Sequence, residues 1–144
     1  MRYLSLIVVM IGMSLATAAQ DKFATWKKLE DVSYEKEMDE YGEIFVPRFG
    51  DQVKKLQGKE ITLTGYIIPF EGMFKPEHII ISSLPIASCF FCGTGGPETV
   101  AEVFLEEPVK YTAKLVQVRG KLQLNDTDTD KLMYILKDAK LLTD

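Results

Sequence analysis

A chain of 144 residues with 17 Lys and Arg against 21 Asp and Glu carries a formal net charge of −4. That balance argues against a nucleic-acid partner, whose phosphates draw basic patches, and gives no help at an anionic membrane surface. Two cysteines in the whole chain exclude a disulfide scaffold and leave either one bridge or one site.

The first nineteen residues read as a secretory signal peptide. Arg2 is a short basic start, Leu4 to Leu15 an apolar run, and Ala16-Thr17-Ala18-Ala19 supplies small residues for cleavage. The run falls short of the roughly 20 residues that a bilayer core needs, so no membrane span is expected in the mature chain. Cleavage removes only one charge, Arg2, and leaves 20–144 as one domain of ordinary size. Export places it in the periplasm or outside the cell, where conditions are oxidising.

Residues 20–58 read as a lead-in. Trp26 and Leu29 are spaced as on one helical face, and Val32 and Tyr34 alternate as on an edge strand. The charged run Glu35–Glu40 reads as solvated surface. Ile44-Phe45-Val46-Pro47 is a short apolar run that proline ends. Phe49 to Leu56 is expected as two helical turns, with Asp51 as N-cap and Gly58 as C-cap.

The pattern then changes to period two over 59–144. In Glu60–Pro69, Ile61, Leu63, Gly65 and Ile67 share one face, and Thr62, Thr64, Tyr66 and Ile68 the other. Gly65 predicts a bulge or a sharp bend, as small barrels need. A turn with Met73-Phe74 at its tip leads to a strand at Pro76–Leu84, where Ile79, Ile80 and Ile81 run together. Glu98–Leu105 is a third strand, for which a short amphipathic helix is the rival reading. Lys114–Leu124 and Lys131–Leu142 are the last two, joined by the polar turn Asn125–Asp130. Five strands and little helix predict a mainly β fold: a small five-stranded antiparallel OB-like barrel with a short helix, or else a two-sheet sandwich.

The chemistry gathers in Ser88-Cys89-Phe90-Phe91-Cys92-Gly93-Thr94-Gly95-Gly96-Pro97-Glu98. Two thiolates spaced C-x-x-C can chelate one soft metal ion such as zinc, copper or iron. A closed zinc site wants four ligands, so His78, Glu98, Asp51, Met73 or a bound partner would have to complete it. A plain Cys89–Cys92 disulfide is the second reading, with a small entropic gain because the loop is so short. Redox exchange is the third, and it lacks the helix start that activates a C-x-x-C thiol. Phe90 and Phe91 would plug the barrel end or, if exposed, present an apolar patch to a partner. Gly93, Gly95 and Gly96 permit positive φ and close backbone approach. The lysine and following helix of a phosphate loop are absent, and Ser82 and Ser83 have no histidine–carboxylate arrangement that would make a hydrolase.

Gly58-Lys59-Glu60-Ile61-Thr62-Leu63-Thr64-Gly65-Tyr66-Ile67-Ile68-Pro69, the Ile79–Ile81 strand, the cysteine loop and Val116-Gln117-Val118-Arg119-Gly120-Lys121-Leu122 resemble an uncharacterised family of small exported bacterial proteins, regarded as OB-like barrels. The resemblance runs roughly from Trp26 to Leu142. In many relatives the loop reads Cys-x-His, then prolines and an Asn-Gln pair. Cys89 matches that cysteine, Cys92 stands close to the place of the missing histidine, and Gly95-Gly96-Pro97 and Glu98-Thr99 occupy the places of the prolines and of Asn-Gln. An exchange of Cys/His for Cys/Cys implies metal ligation more than a disulfide. The resemblance supplies no reaction.

These readings converge on an exported, non-catalytic binding module. It would hold a metal through Cys89 and Cys92, or dock an envelope protein or transporter component on the loop carrying Phe90, Phe91, Gly93, Gly95, Gly96 and Pro97. Its setting would be envelope transport or metal handling. A disulfide-stiffened interaction domain is the alternative, and a thiol–disulfide redox protein the third reading.

Overall fold

The computed structural model describes residues 21–69 and 77–142. The segment expected as a signal peptide and the turn expected at Met73-Phe74 lie outside the described residues. Two short helices, seven strands and two 3-10 turns follow in order: α1 (Ala24–Leu29), β1 (Val32–Asp39), β2 (Gly42–Phe49), α2 (Asp51–Lys54), β3 (Glu60–Ile68), β4 (His78–Ser82), β5 (Val100–Leu105), β6 (Leu115–Leu124) and β7 (Tyr134–Leu142), with the 3-10 turns at Ile86–Ser88 and Pro97–Thr99. Among the described residues no helix is long and apolar enough to cross a membrane.

The last five strands close a barrel in the order β3-β4-β5-β7-β6. This is the expected mainly β, OB-like barrel. One neighbouring pair, β5 with β7, is parallel and the other four are antiparallel. Geometry forces that departure from an all-antiparallel barrel. Strand direction must reverse at every antiparallel step, and a ring with an odd number of strands cannot close on reversals alone. Glu98–Leu105 is a strand, with its first turn drawn off into the Pro97–Thr99 3-10 segment.

Alternation assigns the inner face as the sequence predicts. Leu63, Ile67, Ile81, Val103, Val118 and Leu136 are buried in one core. Gly65 sits where β3 leaves β6 and turns to β4; Tyr66 pairs with both neighbours. A Cβ at Gly65 would lie 2.3 Å from the Ser82 carbonyl oxygen, so only hydrogen fits beneath β4.

The lead-in differs most from expectation. Trp26 and Leu29 do share a buried helical face, and that face joins the barrel core together with Phe49 and Val53. The Trp26 indole N–H donates to the Thr64 carbonyl at 2.8 Å, and the Tyr134 hydroxyl donates to the Leu29 carbonyl at 2.5 Å. Ile44–Pro47 is not a run that proline ends. Pro47 lies inside β2, which among the described residues pairs only with β1 in a separate two-stranded sheet. The expected helix at Phe49–Leu56 shrinks to α2, and Gly50 rather than Asp51 is its N-cap. Asp31 supplies the cap from outside: its carboxylate accepts from the Gln52 amide at 2.9 Å and its carbonyl from the Gly50 amide at 2.7 Å. Asp51 therefore stands exposed in the first turn, and Gly58, at φ +72°, follows two residues beyond the Leu56 turn.

Candidate functional site

The cysteine loop is folded on itself. The Cys89 carbonyl accepts from the amides of Cys92 and Gly93, at 3.3 and 2.7 Å, and the Ser88 carbonyl from that of Gly95 at 3.1 Å. This turns the C-x-x-C segment so that Cys89 is fully buried while Cys92 is exposed, and both thiols are free. The Cys89–Cys92 bridge expected as one alternative is not formed here. Gly93 serves close approach, since a Cβ there would lie 2.5 Å from the Ser88 Cα. The expected positive φ is not what the loop glycines provide. Among the described glycines only Gly42 and Gly58 adopt it.

His78 and Glu98 are held elsewhere. His78 Nε2 and Glu102 Oε1 share a hydrogen bond of 2.6 Å, and the imidazole stacks on Phe104 with ring centroids 4.2 Å apart. Glu98 accepts the Tyr34 hydroxyl proton at 2.7 Å on Oε2. No group of three or more His, Cys, Asp or Glu side chains is gathered for a metal ion among the described residues. One thiol is buried and one exposed, and His78 and Glu98 are engaged elsewhere, so these four side chains are not gathered as a closed four-ligand centre for zinc, copper or iron.

Glu102 was not singled out in the sequence. It lies on the outward face of β5, yet it is buried, as are Val100 and Ile135 on the adjoining outward positions. Outside the barrel core, the cysteine loop and the β6–β7 turn form a second layer there. Phe91, Lys131 and Leu132 line a shallow pocket of about 200 Å³ with His78 and Glu102. The Leu132 amide donates to Glu102 Oε2 at 3.3 Å, so one buried carboxylate ties β4, β5 and that turn together.

A groove of about 880 Å³ lies between the β1–β2 hairpin and the barrel. Its lining runs without a gap along β2 from Ile44 to Arg48. The opposite wall is the β6–β7 turn, and Tyr34 and Glu37 of β1 with Phe90 and Pro97 of the cysteine loop contribute the remainder. Phe45 is 61% exposed and Phe90 38%, and the Phe90 and Phe91 rings meet edge to face at 5.1 Å. Phe90 and Phe91 thus part company, the first facing the groove and the second the shallow pocket.

Charge at the groove is fixed by local pairs. Arg48 is bonded to Glu35 and Glu37, and Lys131 to Asp128 at 2.5 Å. The Lys131 ammonium holds the Asp128 carboxyl below its ordinary range. Burial, then the Glu98 carboxylate, push the Tyr34 phenol well up. Sequence reasoning missed this groove because it missed the hairpin. The available signal was Glu40-Tyr41-Gly42 between two alternating runs, with Gly42 at φ +133° as the turn requires.

No protein-family model matches the chain, and neither does any curated protein sequence. Among solved structures the chain is similar to the crystal structure of a DUF3299 family protein from Pseudomonas aeruginosa, at 16% identity and a TM-score of 0.47. The similarity covers 63% of this chain and 66% of that one, just under two thirds of the relative's length. That relative belongs to a family of uncharacterised function.

Proposed function

We propose that this protein is an exported, non-catalytic binding module of the cell envelope, and that its partner seats in the groove between the β1–β2 hairpin and the barrel. The observation that carries this reading is the groove itself. At about 880 Å³ it falls in the range of roughly 300–1,000 Å³ usual for binding sites, and exposed Phe45 and Phe90 face into it. Large aromatic rings left in solvent beside a concavity mark an interaction surface. The cysteine loop takes part by presenting Phe90 and Pro97, which keeps the loop central to function without requiring a metal.

Binding of an apolar fluorescent dye tests the groove. The native protein is expected to bind it, Phe45→Ser and Phe90→Ser to weaken binding about tenfold or more together, and Tyr111→Ser, on the loop leaving β5, to leave it unchanged. No dye binding, or equal binding by all three variants, overturns the reading.

A further inference from the structure

We propose that the groove's partner is an extended polypeptide segment that adds as a strand to the free edge of β2. The proposal rests on the binding reading above and names the class of partner. Side chains alternate across a strand, so a cavity over one face of β2 would be lined by every second residue. The lining instead includes Ile44, Phe45, Val46, Pro47 and Arg48 in succession, and Tyr34 and Glu37 reach it from β1, one from each face of the hairpin. What borders the groove is therefore the edge of β2, with its main-chain groups.

Among the described residues β2 pairs with β1 alone, and its other edge has no strand partner. Pro47 fixes which residues point that way. Proline has no N–H to give a ladder, so it is tolerated where the N–H would face away from the neighbouring strand. Pro47 is opposite Tyr34 inside the pairing register. Phe45, two residues earlier and opposite Lys36, has the same orientation. The Phe45 N–H and C=O and the Pro47 C=O thus face the groove. An unpaired N–H and two carbonyls in line recognise another main chain, which a lipid or a compact apolar molecule cannot match. Phe45, Phe90 and Tyr34 supply the apolar surroundings for alternate side chains of the added strand.

The test uses the whole protein and a linear peptide selected on it from a random display library. Phe45→Pro removes the one N–H that faces the groove and leaves the β1–β2 ladder intact, as Pro47 already does at the equivalent orientation. Phe45→Leu keeps that N–H. Phe45→Pro is expected to weaken peptide binding tenfold or more, and Phe45→Leu less than about threefold. N-methylation of alternate peptide amides, read on the unaltered protein, is expected to abolish binding even if Phe45→Pro disturbs the hairpin. Equal effects of the two variants together with tolerance of N-methylation overturn strand addition while leaving a side-chain groove in place. Dye binding with no peptide recovered overturns the polypeptide class and spares the groove. Loss of both overturns the groove. A dimer of the protein, seen by light scattering and dispersed by Phe45→Pro, would make a second copy of this chain the occupant and overturn the separate partner.

Discussion

The Tyr34 hydroxyl donates to Glu98 Oε2 at 2.7 Å and fastens the two-stranded hairpin to the segment that leaves the cysteine loop. Among the described residues no strand pairing joins that hairpin to the barrel sheet, so side-chain contacts of this kind hold the groove's two walls in place. Tyr34→Phe is expected to cost about 1 kcal/mol. The loss should be local. Amide exchange across Val32–Phe49 should quicken while Leu63 and Val118 in the barrel stay protected. A uniform change across both would contradict this division.

Alkaline conditions should weaken the protein through two phenols. Burial, then Glu98, raise Tyr34 above its ordinary value of 10.0, and burial, then the Glu98 charge, raise Tyr134. A group whose folded value is raised contributes stability that is complete below the unfolded value and is lost as pH climbs toward the folded one. The urea midpoint should therefore fall as pH rises above about 10, with a shallower fall in Tyr34→Phe and Tyr134→Phe. A midpoint that stays flat through that range would rule out the account of both rings.

Glu102 is the joint of the second layer. Removing its carboxylate leaves His78 without its partner and the Leu132 amide without an acceptor. Glu102→Ala should cost about 2 kcal/mol, whereas Glu102→Gln, which retains shape and an acceptor, should cost about 1 kcal/mol. Chemical denaturation of the two variants reads the difference. Equal losses would show that retained shape and a neutral acceptor contribute nothing there.

At Gly65 the prediction is steric. A methyl group would meet the Ser82 carbonyl at 2.3 Å and Ile81 Cγ1 at 2.9 Å, and backbone cannot give way as a side-chain tip can. Gly65→Ala should destabilise by about 2 kcal/mol, in the range found for overpacking. A thermal midpoint equal to the native one would mean that β3 and β4 separate freely.

The barrel was legible because its strands keep a clean period of two. Leu63, Val118 and Leu136 face inward as alternation dictates, and Gly65 stands where β4 leaves no room for a side chain. The hairpin was not legible because its strands bury so little. β1 is exposed along nearly its whole length, so Tyr34, Lys36 and Met38 carry no inside-out signal, and Pro47 suggested an end where edge position tolerates it. α2 was overdrawn because its cap comes from Asp31, twenty-one residues from the amide it holds, and no local spacing reveals that. For the site, the sequence directed attention to the cysteine loop and to its two thiols. Cys89 and Cys92 stood out as a pair, but a turn that buries one thiol and exposes the other depends on the hydrogen bonds to the Cys89 carbonyl. Glu102 went unremarked because a carboxylate on an outward strand face ordinarily meets water, and here a second layer covers it.

The most direct test of the groove is photo-crosslinking in the producing cell. A photoreactive phenylalanine analogue is placed at Phe45, at Phe90, or at Tyr111 on the loop between β5 and β6, and adducts are identified by mass. The groove account predicts one discrete adduct shared by the Phe45 and Phe90 proteins and missing from the Tyr111 protein. The same adducts at all three positions, or none at Phe45 and Phe90, would contradict it.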